Sequence, residues 1–273
     1  MRSDAALPAL VRGLLTTVLP AQCPVTGEIV SEPGTIAGEA WRDLGRIVTE
    51  ARCRSCGREM PGAQPPAIGD PPLICEPCHR ADHPWERGAA AMRYEGTGRA
   101  LILALKHGDR LDLVPLLARW MYEAAPELVS EADLILPVPL HWHRLWTRRY
   151  NQSAELARKL ARLGGKPGAY RPRLLRRARA TPSQEGRDRE ARVANVAGAF
   201  TLAPGSAQRL AGKRVLLIDD VLTTGATLGA CAALCRDAGA NVDILVSALV
   251  TPDPKAYLTL DPDGEEEPAH GTD

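Results

Sequence analysis

The sequence predicts an α/β fold in which an open parallel sheet is flanked by helices, with a small cysteine-rich unit in front of it. Three observations carry this. Leu134–Leu136, running on into Pro137 and Val138, and Val215–Ile218 are short continuous apolar runs, the pattern of strands buried on both faces of a parallel sheet. Asn151–Leu163 and Ala226–Ala238 repeat their apolar residues at helical spacing. Two Cys-x2-Cys pairs stand before residue 80, in a stretch with little periodicity of its own.

Along the chain, the first expected element is an amphipathic helix, because Leu7, Leu10, Val11, Leu14 and Val18 follow helical spacing. The run Leu7–Leu19 is broken by Arg12 and too short for a membrane span, and it reads as a helix rather than a signal peptide. No stretch of about 18 uninterrupted apolar residues follows, so no membrane span and a cytoplasmic location are expected. Residues 1–88 are rich in Pro, Gly and Cys after that helix, as in a small domain held by something other than a core. Residues 89–252 alternate strand and helix patterns, which is the signature of βαβ units. Within them Leu156, Leu160 and Leu163 share one helix face, and Leu228, Cys231, Ala232 and Cys235 share another. A third strand is expected at Val242–Val250, where Val242, Ile244, Val246, Ala248 and Val250 alternate along one face. Residues 253–273 carry acids and no basic residue beyond Lys255, and are expected to be a disordered acidic tail. The sequence shows no internal repeat.

Composition sets the scale. The chain has 273 residues, 45% of them hydrophobic, enough for a substantial core, but only 4% aromatic, so that core is built from Leu, Val, Ile and Ala. A formal charge of +1 argues against a protein that coats nucleic acid along its whole surface. The balance is uneven, however. Between His141 and Val193 there are 15 basic residues against Glu155, Glu185, Asp188 and Glu190, a local charge of +11.

Four of the seven cysteines read Cys53-x2-Cys56, 18 residues, Cys75-x2-Cys78. Each pair is a tight turn that points two thiolates at one ion, so this spacing predicts a tetrahedral zinc site. Four protein ligands leave no open position, which makes the role structural. Free thiols or disulfides are the alternatives, and disulfides need an oxidising compartment. Cys23 has no such partner, since Thr26 stands where one would be; Cys231 and Cys235 are expected in the core, and His79 and His83 at the surface.

The most informative segment is Val215–Ile218 followed by Asp219, Asp220, Val221, Leu222, Thr223, Thr224, Gly225, Ala226 and Thr227. It reads as a buried strand ending in two acids, a Thr/Gly loop, and a helix. Backbone N–H groups at a helix start carry the positive end of its dipole, so the loop can cradle a phosphate while Thr223, Thr224 and Thr227 add hydroxyl donors. Gly225 lets the backbone approach closely. The two carboxylates can accept hydrogen bonds from sugar hydroxyls. A Thr-capped helix with solvated acids would explain only part of the pattern, and a Walker loop would require Gly-Lys-Ser/Thr.

This segment resembles the 5-phosphoribosyl-1-pyrophosphate (PRPP) signature of type I phosphoribosyltransferases. Pro137-Val138-Pro139-Leu140, Arg148-Arg149-Tyr150-Asn151-Gln152, Thr181-Pro182-Ser183-Gln184, Gly198-Ala199-Phe200 and Leu105-Lys106-His107-Gly108, together with the cysteine-rich start, are similar to the ComF family, linked to DNA uptake in naturally competent bacteria. The chain departs from that family at Arg149-Tyr150, where Gly-Phe is expected before Asn-Gln. The resemblance implies a type I phosphoribosyltransferase-like sheet with an N-terminal zinc ribbon. It also implies a PRPP or diphosphate ligand carrying Mg²⁺, and partners in the competence machinery. Asp219 and Asp220 would hold the ribose and residues 223–227 the 5-phosphate. Arg144, Arg148, Arg187 and Arg192 could neutralise the leaving diphosphate. No general base or acceptor is identified. Trp142, Trp146 and Tyr150 recur among arginines, which leaves a second reading open: a non-catalytic protein that binds single-stranded DNA or regulates.

Overall fold

The structure, a computed structural model, describes residues 20–32, 34–81, 83–107, 110–140, 150–178 and 198–250. The helix expected at 7–19 and the acidic tail expected at 253–273 lie outside these residues. Strands Arg87–Arg93 (β1), Leu134–Pro137 (β2), Arg214–Leu222 (β5) and Asn241–Leu249 (β6) form one parallel sheet in the order β1-β6-β5-β2. Leu175–Arg177 (β3) and Phe200–Leu202 (β4) make a separate antiparallel pair.

Side chains of the sheet alternate between two cores. Leu216, Ile218 and Leu245 pack on one face with helices Gly96–His107 (α3), Val114–Ala124 (α4), Pro126–Glu131 (α5) and Gln152–Leu163 (α6). Val215, Leu217 and Ile244 pack on the other with Ala226–Asp237 (α8). The short helices Gly38–Arg42 (α1), Glu76–Arg80 (α2) and Ser206–Leu210 (α7) complete the described α-helices. Cover on both faces corrects the one-sided alternation expected for β6, in which every residue from Val242 to Leu249 is buried. Asp243 tolerates this because Arg87 and Arg214 pair with it at 2.8 and 3.1 Å. Asn151 is not the first helical residue but the cap: its side chain accepts hydrogen bonds from the Ser153 and Ala154 N–H groups.

Strand β1 carries no sequence signal, because Ala89, Ala90 and Ala91 are poor strand formers. It forms between β6 and the N-terminal segment. Ile47 N–H donates to Ala91 O at 3.0 Å, Arg93 N–H to Gly45 O at 2.8 Å, and Gly88 N–H to Arg54 O at 2.8 Å. The exposed sheet edge is thereby covered. The approach is close enough that a Cβ on Gly88 would fall 2.1 Å from Ser55 O. The point between residues 88 and 89 thus falls inside a strand, and the cysteine unit is built against that strand. Residues 21–30 and 51–60 form two matching turns, a likeness of backbone rather than of sequence, since only Ala, Cys and Gly coincide between them at equivalent positions.

Candidate functional site

β2 ends at Pro137, paired with Ile218, whereas β5 continues to Leu222 alongside β6. Asp219 and Asp220 therefore lie beyond the end of β2, on the side where the sheet opens. The carboxyl ends of parallel strands are where open α/β sheets take ligands. Asn151 Nδ2 donates to Val138 O at 3.0 Å and brings the start of α6 into that opening.

Three side chains then meet the acid pair. Gln152 Nε2 donates to Asp220 Oδ2 at 3.0 Å, Lys106 Nζ lies 3.2 Å from Asp220 Oδ1, and Ser153 Oγ donates to Asp219 Oδ1 at 2.9 Å. Asp220 is 5% exposed, so Lys106 compensates a nearly buried charge. Burial first, and then the negative charge of Asp220, push the Asp219 carboxyl up to about 7, against the opposing pull of the Asp220 N–H and Ser153 Oγ–H donors. Gln152 is itself buried, and its Oε1 finds no hydrogen-bond partner among the described residues. Among the described residues, this leaves a buried acceptor open beside two acids and a cation, where a polar ligand could hydrogen-bond.

The loop follows. Gly225, at φ 77°, turns the chain into α8, which puts the helix N-terminus beside the acids. Thr223 is exposed and Thr224 and Thr227 half-buried, while the Thr224 hydroxyl accepts from Ala226 N–H only at 3.5 Å, a weak cap. Thr223, Thr224, Gly225, Ala226, Thr227, Asp219 and Asp220 are thus contiguous at one strand end. Arg144, Arg148, Arg187 and Arg192 lie outside the described residues, as do Trp142 and Trp146. Tyr150 turns inward, its hydroxyl donating to Leu105 O at 2.5 Å.

Sequence reasoning passed over Lys106, Gln152 and Ser153 as partners of the acids. Lys106 and Gln152 stood in quoted motifs, but nothing local tells a lysine at the end of one helix that it faces a strand far along the chain. It also passed over Trp85, whose Nε1 donates to Ser55 O at 2.8 Å and whose ring stacks on His83 at 4.1 Å. A Cβ on Gly225 would lie 3.0 Å from Trp85 and 3.6 Å from His83. His83 is therefore not the plain surface histidine expected of it.

The sulphurs of Cys53, Cys56, Cys75 and Cys78 all lie within 4.8 Å of one another. Cys75 N–H donates to Cys53 Sγ at 3.3 Å, and α2 follows directly from Cys75 to carry Cys78. A soft four-sulphur set of this size fits structural zinc, and these four residues would hold it. The Cys53 thiol is held far below the ordinary thiol range, first by the Cys56 thiol and then by those of Cys75 and Cys78. Cys231 and Cys235 are buried in the core, as expected. Among the described residues no helix is long and apolar enough to cross a membrane.

The fold and the site define a parallel α/β protein in which an acid pair and a helix N-terminus stand together at the carboxyl end of the sheet, with a four-cysteine unit against its edge. No protein-family model matches the chain. It is 31% identical over 170 residues to Competence protein F of Haemophilus influenzae, which covers 60% of this chain and 73% of the relative. It is 31% identical over 198 residues to DNA utilization protein YhgH of Salmonella typhi, or 70% and 81% of the two lengths. A short match, 59% over 39 residues, relates 14% of the chain to 20% of an adenine phosphoribosyltransferase of Nocardia farcinica. The chain belongs to the ComF family.

Proposed function

We propose that this chain is a phosphoribosyltransferase-like protein that binds PRPP or a related phosphoribosyl ligand at the carboxyl end of β5, in the service of DNA uptake or use. The observation that carries this reading is the acid pair, set beyond the end of β2 and continuous with a Thr/Gly loop and a helix N-terminus. In this reading the N–H groups and hydroxyls of residues 223–227 take the 5-phosphate. Asp219 and Asp220 accept from the ribose hydroxyls, and the orphaned Gln152 Oε1 accepts from a further donor on the ligand. The diphosphate carries Mg²⁺ and is neutralised by Arg144, Arg148, Arg187 and Arg192. The zinc unit is structural.

The names Competence protein F and DNA utilization protein support the link to DNA, with competence-machinery proteins as partners. The match to an adenine phosphoribosyltransferase supports the ligand class. Calorimetric titration with PRPP and Mg²⁺ tests the reading. Wild type should bind, and Asp220→Asn and Thr224→Ala should lose binding while keeping their circular dichroism. Unchanged binding in both folded variants would overturn it. The rival, a non-catalytic single-stranded-DNA-binding protein, is favoured if DNA binding falls steeply with salt and PRPP yields no pyrophosphate with any base or amine acceptor.

A further inference from the structure

Residues 20–44 repeat the backbone frame of the four-cysteine unit almost bond for bond. In that unit Cys53 N–H donates to Arg58 O at 2.7 Å, Gly57 N–H to Cys53 O at 2.8 Å, and Met60 N–H to Ala51 O at 2.9 Å. Earlier in the chain, Cys23 N–H donates to Glu28 O at 2.7 Å, Gly27 N–H to Cys23 O at 2.9 Å, and Val30 N–H to Ala21 O at 2.8 Å. The glycines share one left-handed conformation, with φ 77° at Gly57 and 75° at Gly27. Antiparallel bridges close both turns, Arg52 with Glu59 and Gln22 with Ile29.

The second halves also correspond. Each turn is followed by a helix of 5 residues, α2 capped by Cys75 and α1 by Ala37. Each capping residue donates its N–H to the first sulphur of its turn, Cys75 to Cys53 and Ala37 to Cys23, both at 3.3 Å. This register sets Cys23 on Cys53, Thr26 on Cys56, Ala37 on Cys75 and Ala40 on Cys78. We infer that residues 20–44 are a second ribbon unit on the same frame, in which side-chain packing stands where the other has a metal, and which accepts a metal once three thiolates are restored.

The side chains at the four positions show what replaces the ion. Ala37 and Ala40 are buried, and Ile36 and Leu44 join them in the core shared with α4. Trp41 meets Trp120 of α4 edge to face at 5.8 Å. The Cys23 sulphur is buried, which raises its pKa, yet the Ala37 N–H and the Thr26 side chain hydrogen-bond to it and leave it below the ordinary thiol range. Backbone donors of this kind are what a turn offers a metal-bound thiolate, and here they remain around a sulphur without cysteine neighbours at the other three positions.

The inference rests on the reading of Cys53, Cys56, Cys75 and Cys78 as a zinc site. Zinc is counted by mass spectrometry in the full-length wild type and in Thr26→Cys/Ala37→Cys/Ala40→Cys, with cobalt(II) exchange to read the thiolate charge-transfer band. The wild type should hold one metal, and the triple variant one more, with twice the cobalt absorbance per chain. A folded variant with the wild-type count overturns the inference. A count rising from none to one keeps the metal-accepting frame of residues 20–44 but overturns the contrast with a metal-bound unit, because it removes the zinc reading of Cys53, Cys56, Cys75 and Cys78. Should the variant fail to fold, hydrogen exchange on wild type decides. After chelation, residues 20–44 should keep their protection while 51–80 lose theirs; loss in both together overturns the inference.

Discussion

Gly225→Ala probes how the ligand loop, its helix and the cysteine unit are joined. Gly225 sits at φ 77°, a conformation that costs an L-residue about 1–2 kcal/mol. The added Cβ would also fall 3.0 Å from Trp85 Cη2. Trp85 has little room to yield, since it is 6% exposed, tied through its indole N–H to Ser55 O at 2.8 Å, and stacked on His83. Overpacking of such a site costs about 1–3 kcal/mol. Gly205 is the control. It too is the left-handed residue in front of a helix, at φ 73°, but nothing lies within 4 Å of its Cβ position. In urea unfolding, Gly205→Ala should lose about 1–2 kcal/mol and Gly225→Ala about 2–5 kcal/mol. Only Gly225→Ala should weaken PRPP binding, by about tenfold or about 1.4 kcal/mol, because the loop N–H groups move with the helix start. Equal losses in the two variants, with superimposable PRPP isotherms, would refute the argument.

Two further predictions concern the acids. The Asp219 carboxyl titrates near 7 in the folded protein against 3.8 when unperturbed, so between these values the unfolded chain releases its proton first. The Asp219 contribution to stability should fall as pH rises from about 4 to about 7 and then level off; the difference in urea midpoint between wild type and Asp219→Asn should therefore change with pH over that range, and a pH-independent difference counts against the assignment. Lys106→Met leaves the Asp220 charge, among the described side chains, with the Gln152 amide. It should cost about 2 kcal/mol, less than a fully buried pair because Lys106 is 22% exposed. Adding Asp220→Asn should recover most of the loss, and simple additivity of the two substitutions would show that they are not coupled.

The sequence was most legible where one physical signal sufficed. β5 announces itself because buried parallel strands are apolar throughout, and α8 because Leu228, Cys231, Ala232 and Cys235 share a face. The cysteine cluster followed from spacing alone, since Cys-x2-Cys is a local turn. β1 was illegible because its strand character comes from pairing on both sides and not from its alanines. Lys106 and Gln152 were present in motifs, but their roles depend on β2 stopping short of Asp219, a matter of how two strands of unequal length pair. The likeness of the turn at 21–30 to that at 51–60 was hidden for a related reason. A turn defined by backbone hydrogen bonds and one left-handed glycine tolerates almost any side chain elsewhere, and Thr26 removed the one residue that would have marked it.

Trp85 lies between the four-cysteine unit and the proposed ligand loop. The cysteine unit meets the sheet along β1, through Gly88 N–H to Arg54 O, and meets the ligand loop through Trp85, held by Ser55 from between the two cysteines of the first turn. Structural zinc sites release about 10–16 kcal/mol on binding, far more than the few kcal/mol that separate one loop conformation from another. A metal that fixes residues 53–56 therefore also fixes Ser55 O, and with it the indole against which Gly225 packs. The zinc reading and the phosphoribosyl reading are thus coupled through one side chain. Loss of the metal should reach residues 223–227 through Trp85.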